Sequence, residues 1–459
     1  MSKPSIPQGT RDLSPEVVRK RQFLLQTLRS IFETCGFQPI ETPAMENLST
    51  LMGKYGDEGD RLIFKILNNG LQEPSKQEKT RAALEQVLLG KNDTNLTERA
   101  LRYDLTIPFA RYVVMHQNEI QFPFRRYQMQ PVWRADRPQK GRYREFWQCD
   151  CDIVGSNSLI NEAELLAIYR EAFAKLAIPD IVVRLNSRKI LTGIAQYCGA
   201  EEKLVDITTA IDKLDKIGHA GVQKELSERG LSDEQIGDIS ELIGLSSLDA
   251  MEQAFEKKQI STGMAGIGEL RNTLNYHEQL QQVSWTNSKV EIDFTLARGL
   301  SYYTGVIVEV ICANDRVQMG SIGGGGRYDD LTGLFGLKNL SGVGVSFGID
   351  RIYDVMEQLQ LFPETLNVGT QVIVINNGGT NEIYALSLLN HLRVQGISSE
   401  IYTDNAKFDK QMKYAFNRGI PYVVIAEDEE QHTGTIRVKQ FGGDGQERMT
   451  IDALVARLK

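Results

Sequence analysis

Residues 123–152, PFRRYQMQPVWRADRPQKGRYREFWQCDCD, constrain the fold of this chain more than any other stretch. Seven Lys or Arg fall between Arg125 and Arg144, yet the segment alternates like two strands around a polar turn. Counting by two from Arg142, one face of the second strand carries Arg144, Phe146, Gln148, Asp150 and Asp152. The other face carries Tyr143, Trp147, Cys149, Cys151 and Ile153, a mostly apolar set. The preceding strand puts Arg134 and Asp136 together on one face of its own. Buried charges need partners, and a solvated edge has no use for so ordered a pattern. Taken alone, the hairpin reads either as a basic surface patch or as the floor of a site for a polyphosphate and a small charged substrate.

Three further segments favour the second reading. LARGLSYYTG at 296–305 follows an apolar-alternating strand (Val290, Ile292, Phe294) and places Arg298, a permanent fork-shaped cation, on a tight bend before Tyr302 and Tyr303. GGGGRYDDLTG at 323–333 has four consecutive glycines, which let the backbone approach a ligand closely. No Gly-Lys-Ser/Thr follows them and the strand-turn-helix context of a dinucleotide fingerprint is missing, so neither phosphate-binding loop applies. Arg327 directly after the glycines either joins the site or pins the glycine segment. GVGVSFGIDRI at 342–352 is an apolar strand leading into a helix that presents Arg351 near its start.

Together these segments resemble class II aminoacyl-tRNA synthetases, and among them the histidyl-tRNA synthetase family. The hairpin is similar to the class's motif 2 and GVGVSFGIDRI to motif 3. Motif 1 resembles the helix ending at Gly36 plus FQPIETP, with Pro43 as its proline. LARGLSYYTG, GGGGRYDDLTG and LRYDLTIPFARY at 101–112 are similar to histidine-specific signatures. Ser301 departs from the acidic residue common in the first of these, and Ala426 from a glycine common in the C-terminal domain.

The resemblance implies a ligase that joins histidine to ATP, giving histidyl-adenylate, and then to the 3′ end of histidine tRNA. Arg134 and Arg298 are then the catalytic cations, approaching the α-phosphate and the amino-acid carboxylate from opposite sides. Arginine suits both places because it stays charged and binds oxyanions bidentately. By resemblance, Asp104, Thr106 and Gln148 surround the histidine ammonium, Asp152 accepts from the imidazole, and Tyr302 and Tyr303 wall the ring; the alternative for Asp104 and Asp152 is a structural acceptor for neighbouring arginines. Asp152 lies four strand residues beyond Gln148 on the same face, roughly 13 Å along the backbone. Adjacent strand residues point opposite ways, so one of the two tyrosines is expected only to support the site. ATP is expected against Arg134, Asp136, Phe146 and Arg351, with Mg²⁺ held largely by phosphate oxygens and water. The hairpin tip, Gln139, Lys140 and Arg142, is expected to meet the tRNA acceptor end. A pocket built on such hydrogen bonds discriminates by about 10⁴ or more, so no editing activity is expected. The alternative within the resemblance is a non-catalytic, histidine-binding regulatory paralogue of histidine biosynthesis. Arg134, Arg298 and a complete C-terminal domain argue against it.

The fold class expected is α/β, with an α+β catalytic domain on a mixed, mainly antiparallel sheet. Residues 1–190 and 286–357 form that domain around a helical, acidic insertion at 191–285. A linker at 358–368 leads to a small α/β domain at 369–459, whose β-α-β-α-β rhythm predicts a largely parallel sheet. The resemblance makes it the anticodon-binding domain. Ser14-Pro15 starts a helix with Val18, Leu24, Leu25, Leu28, Ile31 and Phe32 inward, and the resemblance implies a homodimer through this region. Polar residues 70–98 are expected to be a mobile insertion between two core strands.

A chain of 459 residues, 41% hydrophobic, supports several such cores. No apolar stretch is long enough to span a bilayer, and the N-terminus lacks the apolar core of a signal peptide. Five cysteines without framework spacing fit reduced thiols in a cytoplasm, and Cys149-x-Cys151 reads as strand core rather than a metal corner. His116, His219, His277, His391 and His432 are scattered, so they assemble no metal or triad pattern. The net charge of −8 does not argue against a nucleic acid, because the basic residues are concentrated locally.

Overall fold

The computed structural model describes residues 3–297, 302–367, 369–404, 406–443 and 445–459. Among them sixteen strands form three sheets. In chain order the strands are β1 Gln38–Pro39, β2 Met45–Asn47, β3 Lys65–Ile66, β4 Arg99–Leu101, β5 Phe124–Trp133, β6 Glu145–Val154, β7 Ile181–Ser187, β8 Ser288–Ile292, β9 Val306–Cys312, β10 Gly323–Arg327, β11 Gly342–Gly348, β12 Val372–Val374, β13 Ser399–Ile401, β14 Tyr422–Ile425, β15 Ile436–Gln440 and β16 Gln446–Met449. The chain divides into two compact units, one running to Ser14 and then Lys20–Leu361, the other Pro15–Arg19 with Phe362–Lys459.

The larger unit is built on an eight-stranded sheet in the order β1-β5-β6-β11-β10-β9-β7-β8. Its end pairs β1–β5 and β7–β8 are parallel and the rest antiparallel. The β5–β6 hairpin pairs Phe124 with Val154 through to Trp133 with Glu145, as the alternation of the sequence requires. One face of this sheet is a dry core. Cys149 and Cys151 point into it as buried free thiols. Phe347, the register partner of Cys149, meets Phe32 at 5.8 Å and Tyr169 at 4.6 Å between ring centres. Phe32 belongs to the helix Pro15–Thr34, whose Leu24, Leu28 and Ile31 are also buried, while Val18 is exposed, against expectation. Tyr169 belongs to the helix Ile160–Lys175. Each such fully buried aromatic contributes about 1.5–3 kcal/mol, so the dry face anchors the sheet while its other face stays polar.

The four glycines are not a loop. They form β10, squeezed between β9 and β11, and a Cβ at Gly325 would sit 2.2 Å from the Gly344 carbonyl oxygen. On the polar side a Cβ at Gly326 would meet the Tyr303 ring at 3.0 Å, whereas Gly324 has only one carbonyl within 4 Å. The run is therefore mainly a demand of strand packing, with an open floor at Gly324. Arg327 pins this strand. Its guanidinium, with the residue only 4% exposed, binds both carboxylate oxygens of Glu162 and the Ser341 hydroxyl.

Residues 70–98 carry a helix, Gln77–Leu88, between β3 and β4 of a small antiparallel sheet, with Ala83 buried beneath it. From Arg188–Tyr197 to Ser261–Gln279 the chain is helical without a strand. In the smaller unit the order is β13-β12-β14-β15-β16. The first three strands are parallel as the sequence rhythm implies, and β15 and β16 extend them in antiparallel fashion. Val372 and Val374 enter one core and Ile373 and Ile375 another, so both faces of this sheet are covered. No helix among the described residues is long and apolar enough to cross a membrane.

Glu162→Ala leaves the Arg327 guanidinium buried without its bidentate partner. The expected loss is about 3–5 kcal/mol in the larger unit, where all three tryptophans lie. Urea unfolding followed by tryptophan fluorescence checks this, and a loss under about 1 kcal/mol, the scale of an exposed pair, contradicts it.

Candidate functional site

The polar face of the large sheet is a grid set by strand register. Gln148, Asp150 and Asp152 of β6 lie opposite Gln130, Gln128 and Arg126 of β5 and opposite Gly348, Ser346 and Gly344 of β11. The hairpin alternation places them on one face, and the glycines of β11 leave room above the carboxylates. A Cβ at Gly344 would lie 1.9 Å from Asp152 Oδ1.

Arg126 has no exposed surface. Its Nη2 lies 2.8 Å from Asp152 Oδ2, and its guanidinium carbon sits 4.2 Å from the centre of the Phe109 ring. Tyr328 donates its hydroxyl to Asp152 Oδ1 at 2.6 Å. Burial raises the pKa of Asp152, and Arg126 and Tyr328 oppose the rise. Asp104, just before the helix Thr106–Met115, accepts from Tyr55 (2.9 Å), Tyr302 (3.2 Å) and the backbone N–H of Ile107 (3.1 Å). Burial raises its pKa too, against those hydrogen bonds and the nearby Arg134. The hydroxyl of Thr106 assists Tyr302.

Beside this buried carboxylate-and-tyrosine cluster opens a cleft of about 280 Å³ whose lining includes Arg134, Phe146, Gln148, Tyr303, Ser346 and Arg351. Arg134 donates from Nε to the Tyr103 carbonyl (3.1 Å), and its guanidinium carbon lies 4.3 Å from the Tyr103 ring centre and 5.2 Å from that of Phe146. Gln148 donates to Ser346 Oγ at 2.8 Å, while its Oε1 is buried without a partner. Arg351 stands in the first turn of the helix Ile349–Leu359. It donates to the carbonyls of Gly141 (2.8 Å) and Ser321 (2.6 Å), and burial lowers its pKa. That helix is docked by Asp350, which accepts from Trp147 N–H (2.9 Å), Arg21 (2.5 Å) and Arg11. Guanidiniums on the cleft side suit a polyanion, and carboxylates on the pocket side suit a cation.

The structure thus gathers Arg134, Asp136, Arg142, Phe146, Gln148, Tyr303 and Arg351 into one cleft. Asp104 and Tyr302 meet directly, and Asp152 faces the same sheet surface. Tyr302 reaches Asp104 and Tyr303 lines the cleft, their rings edge to face at 5.0 Å, both residues lying outside any strand. Asp136 pairs with Arg142 at 3.5 Å, Gln139 and Arg142 close the hairpin tip, and Lys140 donates to Gln358 (3.3 Å). Arg298 and Ser301 lie outside the described residues. Arg327 is structural, as above. Among the described residues no group of three or more His, Cys, Asp and Glu could hold a metal ion. Sequence reasoning missed Arg126, Tyr55 and Tyr328. Counting back by two from Arg134 reaches Arg126 on the same face, a signal that was available. Tyr55 carried none.

The sequence profile of the family described as histidyl-tRNA synthetase matches residues 73–352, and that of the anticodon binding domain matches 371–459. A histidine–tRNA ligase of Christiangramia forsetii is 51% identical over 462 residues, covering 100% of this chain and 99% of its own. One from Flavobacterium johnsoniae is 50% identical over 96% of each chain. The crystal structure of histidyl-tRNA synthetase from Nostoc sp. PCC 7120 superposes with a TM-score of 0.80 at 29% identity, covering 100% of both chains. A profile covering well over half of the chain, and relatives about half identical along its whole length, place this chain in the histidyl-tRNA synthetase family.

Proposed function

We propose that this protein is a histidine–tRNA ligase that forms histidyl-adenylate from L-histidine and ATP and transfers the histidyl group to the 3′ end of histidine tRNA. The observation that carries the reading is the junction of a guanidinium-lined cleft with a carboxylate-and-tyrosine cluster across Gln148. A molecule with phosphate at one end and a cationic amino acid at the other matches that polarity.

In the first step an oxygen of the histidine carboxylate attacks the α-phosphorus. The bond to the bridging oxygen of the β-phosphate breaks, and pyrophosphate leaves. Two anions must meet, so the protein's work is positioning and neutralisation. Arg134, held by the Tyr103 carbonyl, is the cation between α-phosphate and carboxylate. Arg298 takes the opposite side. Asp104, which accepts from two tyrosine hydroxyls and a backbone N–H, takes the ammonium together with Thr106 and Gln148. Asp152 takes the imidazole, with Tyr302 and Tyr303 as walls. Adenine lies between Phe146 and Arg351, a ring and a cation that both favour a π face, with Asp136 near the nucleotide. Mg²⁺ accompanies the triphosphate, coordinated by its oxygens and water. Gln139, Lys140 and Arg142 receive the acceptor end, and the C-terminal unit receives the anticodon. The working form is a C2 homodimer in the cytoplasm, and the free thiols fit that compartment.

ATP–pyrophosphate exchange with each of the twenty amino acids tests this directly. Exchange is expected with histidine alone, reduced about 10²–10³-fold by Arg134→Ala, the cost of removing one donor from a developing charge. Histidine binding without exchange would instead indicate a regulatory protein. Gly344→Ala drives a methyl group into the Asp152 carboxylate. It is expected to raise the histidine KM at least tenfold with the ATP KM within twofold, and an unchanged histidine KM would remove Asp152 from the pocket.

A further inference from the structure

Between Gln148 and Asp152 the same strand face carries Asp150, to which the reaction above gives no role. The residue is 3% exposed, and its Oδ1 has no hydrogen-bond partner. Its cross-strand neighbours do not supply one. Gln128 spends its amide hydrogens on Thr42 Oγ1 (2.9 Å) and Gln130 Oε1 (2.6 Å). Ser346 lies beside Asp150 but serves one side only and accepts from Gln148. Asp152 differs in having Tyr328 on one oxygen and the Arg126 guanidinium 2.8 Å from the other, although that second oxygen also lacks a hydrogen bond. A buried carboxylate oxygen without a donor bears the full cost of its desolvation, and one beside a cleft lined by its neighbours Gln148, Ser346 and Tyr303 calls for a ligand that brings the donor.

Gln148 Oε1 is another acceptor on this face without a hydrogen bond. Two strand residues separate it from Asp150, roughly 7 Å, close to the span between the ammonium and the far ring nitrogen of histidine. We propose that Asp150 is a specificity-determining residue of the histidine pocket, its free carboxylate oxygen accepting one ring N–H of the substrate while Asp152 accepts the other. The proposal rests on the histidine reading of that pocket. Two acceptors for two ring nitrogens select a ring that carries both hydrogens, the imidazolium.

The charges around Asp150 agree. Asp152, Asp104, Arg126 and Tyr303 face it, Ser346 and Gln128 flank it, and Arg102, Tyr169, Cys149 and Cys151 lie within electrostatic reach. The three carboxylates Asp104, Asp150 and Asp152 outnumber the buried guanidiniums of Arg126 and Arg102, an anionic excess that a cationic ring offsets. Burial first, then Asp152 and Asp104, lift Asp150 to about 7, against Arg126 and Ser346. Above that pH the empty carboxyl is ionised, and free imidazole, with a pKa of about 6.5, is neutral. The complex keeps one proton between them. Binding therefore takes up a proton, and the histidine KM rises with pH, by up to about tenfold per unit.

The test is pyrophosphate exchange by the full-length protein and Asp150→Asn, with histidine and with 1,2,4-triazole-3-alanine, a near-isosteric analogue whose ring stays unprotonated near neutral pH. Asp150→Asn is expected to raise the histidine KM at least tenfold and flatten its rise between pH 7.5 and 8.5. The KM values for ATP and for the triazole should stay within twofold. A histidine KM within twofold of wild type overturns the proposal, as does an equal rise for both amino acids, the mark of a merely structural carboxylate. If Asp150→Asn does not fold, the wild-type protein decides. A histidine KM flat with pH and equal use of the triazole overturn the proposal, whereas a rising KM with poor use of the triazole supports it. Asp104→Asn and Gln148→Ala separate the two layers. If they too leave the histidine KM unchanged, the pocket reading has failed, and if they raise it while Asp150→Asn does not, only the role of Asp150 has.

Discussion

Arg126 places a full positive charge in the middle of the large sheet with no exposed surface, and the polar face is arranged around that charge. A buried guanidinium persists only where carboxylate and aromatic partners surround it. Here Asp152 sits at 2.8 Å and the face of Phe109 lies beneath. The pair stabilises folding little in net terms, because desolvation offsets most of the Coulombic gain. Its consequence is organisational. With Arg126 beneath it, Asp152 can remain a carboxylate inside a sheet, and Tyr328 is drawn to its other oxygen. Asp104, farther along, is held by Tyr55, Tyr302 and a helix-start N–H instead. The two carboxylates are thus held by separate sets of partners, Arg126 and Tyr328 for Asp152, and Tyr55, Tyr302 and the Ile107 N–H for Asp104.

The same pleat that gathers these charges on one face keeps the other face dry. Cys149 and Cys151 alternate with Gln148, Asp150 and Asp152, so the packing of Phe347 between Phe32 and Tyr169 fixes the height and angle of the polar residues. The glycines belong to this division of labour. Gly325 allows β10 to approach β11, Gly344 makes room for Asp152, and Gly324 leaves the cleft floor open. Glu162 and Arg327 then hold β10 from behind, out of the site but governing where its floor lies.

Much of this was legible because a period of two survives in the sequence wherever one sheet face is buried and the other is not. The faces of β6 could be read directly, as could the strand-to-helix junction that presents Arg351. What was hidden depended on partners remote along the chain. Nothing local to Arg327 marks it as structural, since Glu162 lies on a distant helix. Arg126 was readable as a residue of the right face but not as the partner of Asp152, which requires the hairpin register. Tyr55 lies in a Gly- and Asp-rich stretch with no periodic signal. The two adjacent tyrosines were read as strand neighbours, but both lie outside any strand, Tyr302 against Asp104 and Tyr303 in the cleft wall. The polar 70–98 stretch hid a helix, because Ala83 alone of that helix is fully buried.

The central claim is that Arg126 organises the amino-acid end of the site without serving the nucleotide end. Titration calorimetry of Arg126→Met, in protein that keeps the wild-type tryptophan fluorescence, addresses it most directly. Removing the cation leaves Asp152 buried without its counter-ion, so the account predicts histidine affinity at least tenfold weaker, about 1.4 kcal/mol or more, with ATP affinity within twofold. Unchanged histidine affinity, or an equal loss for both ligands, would contradict it.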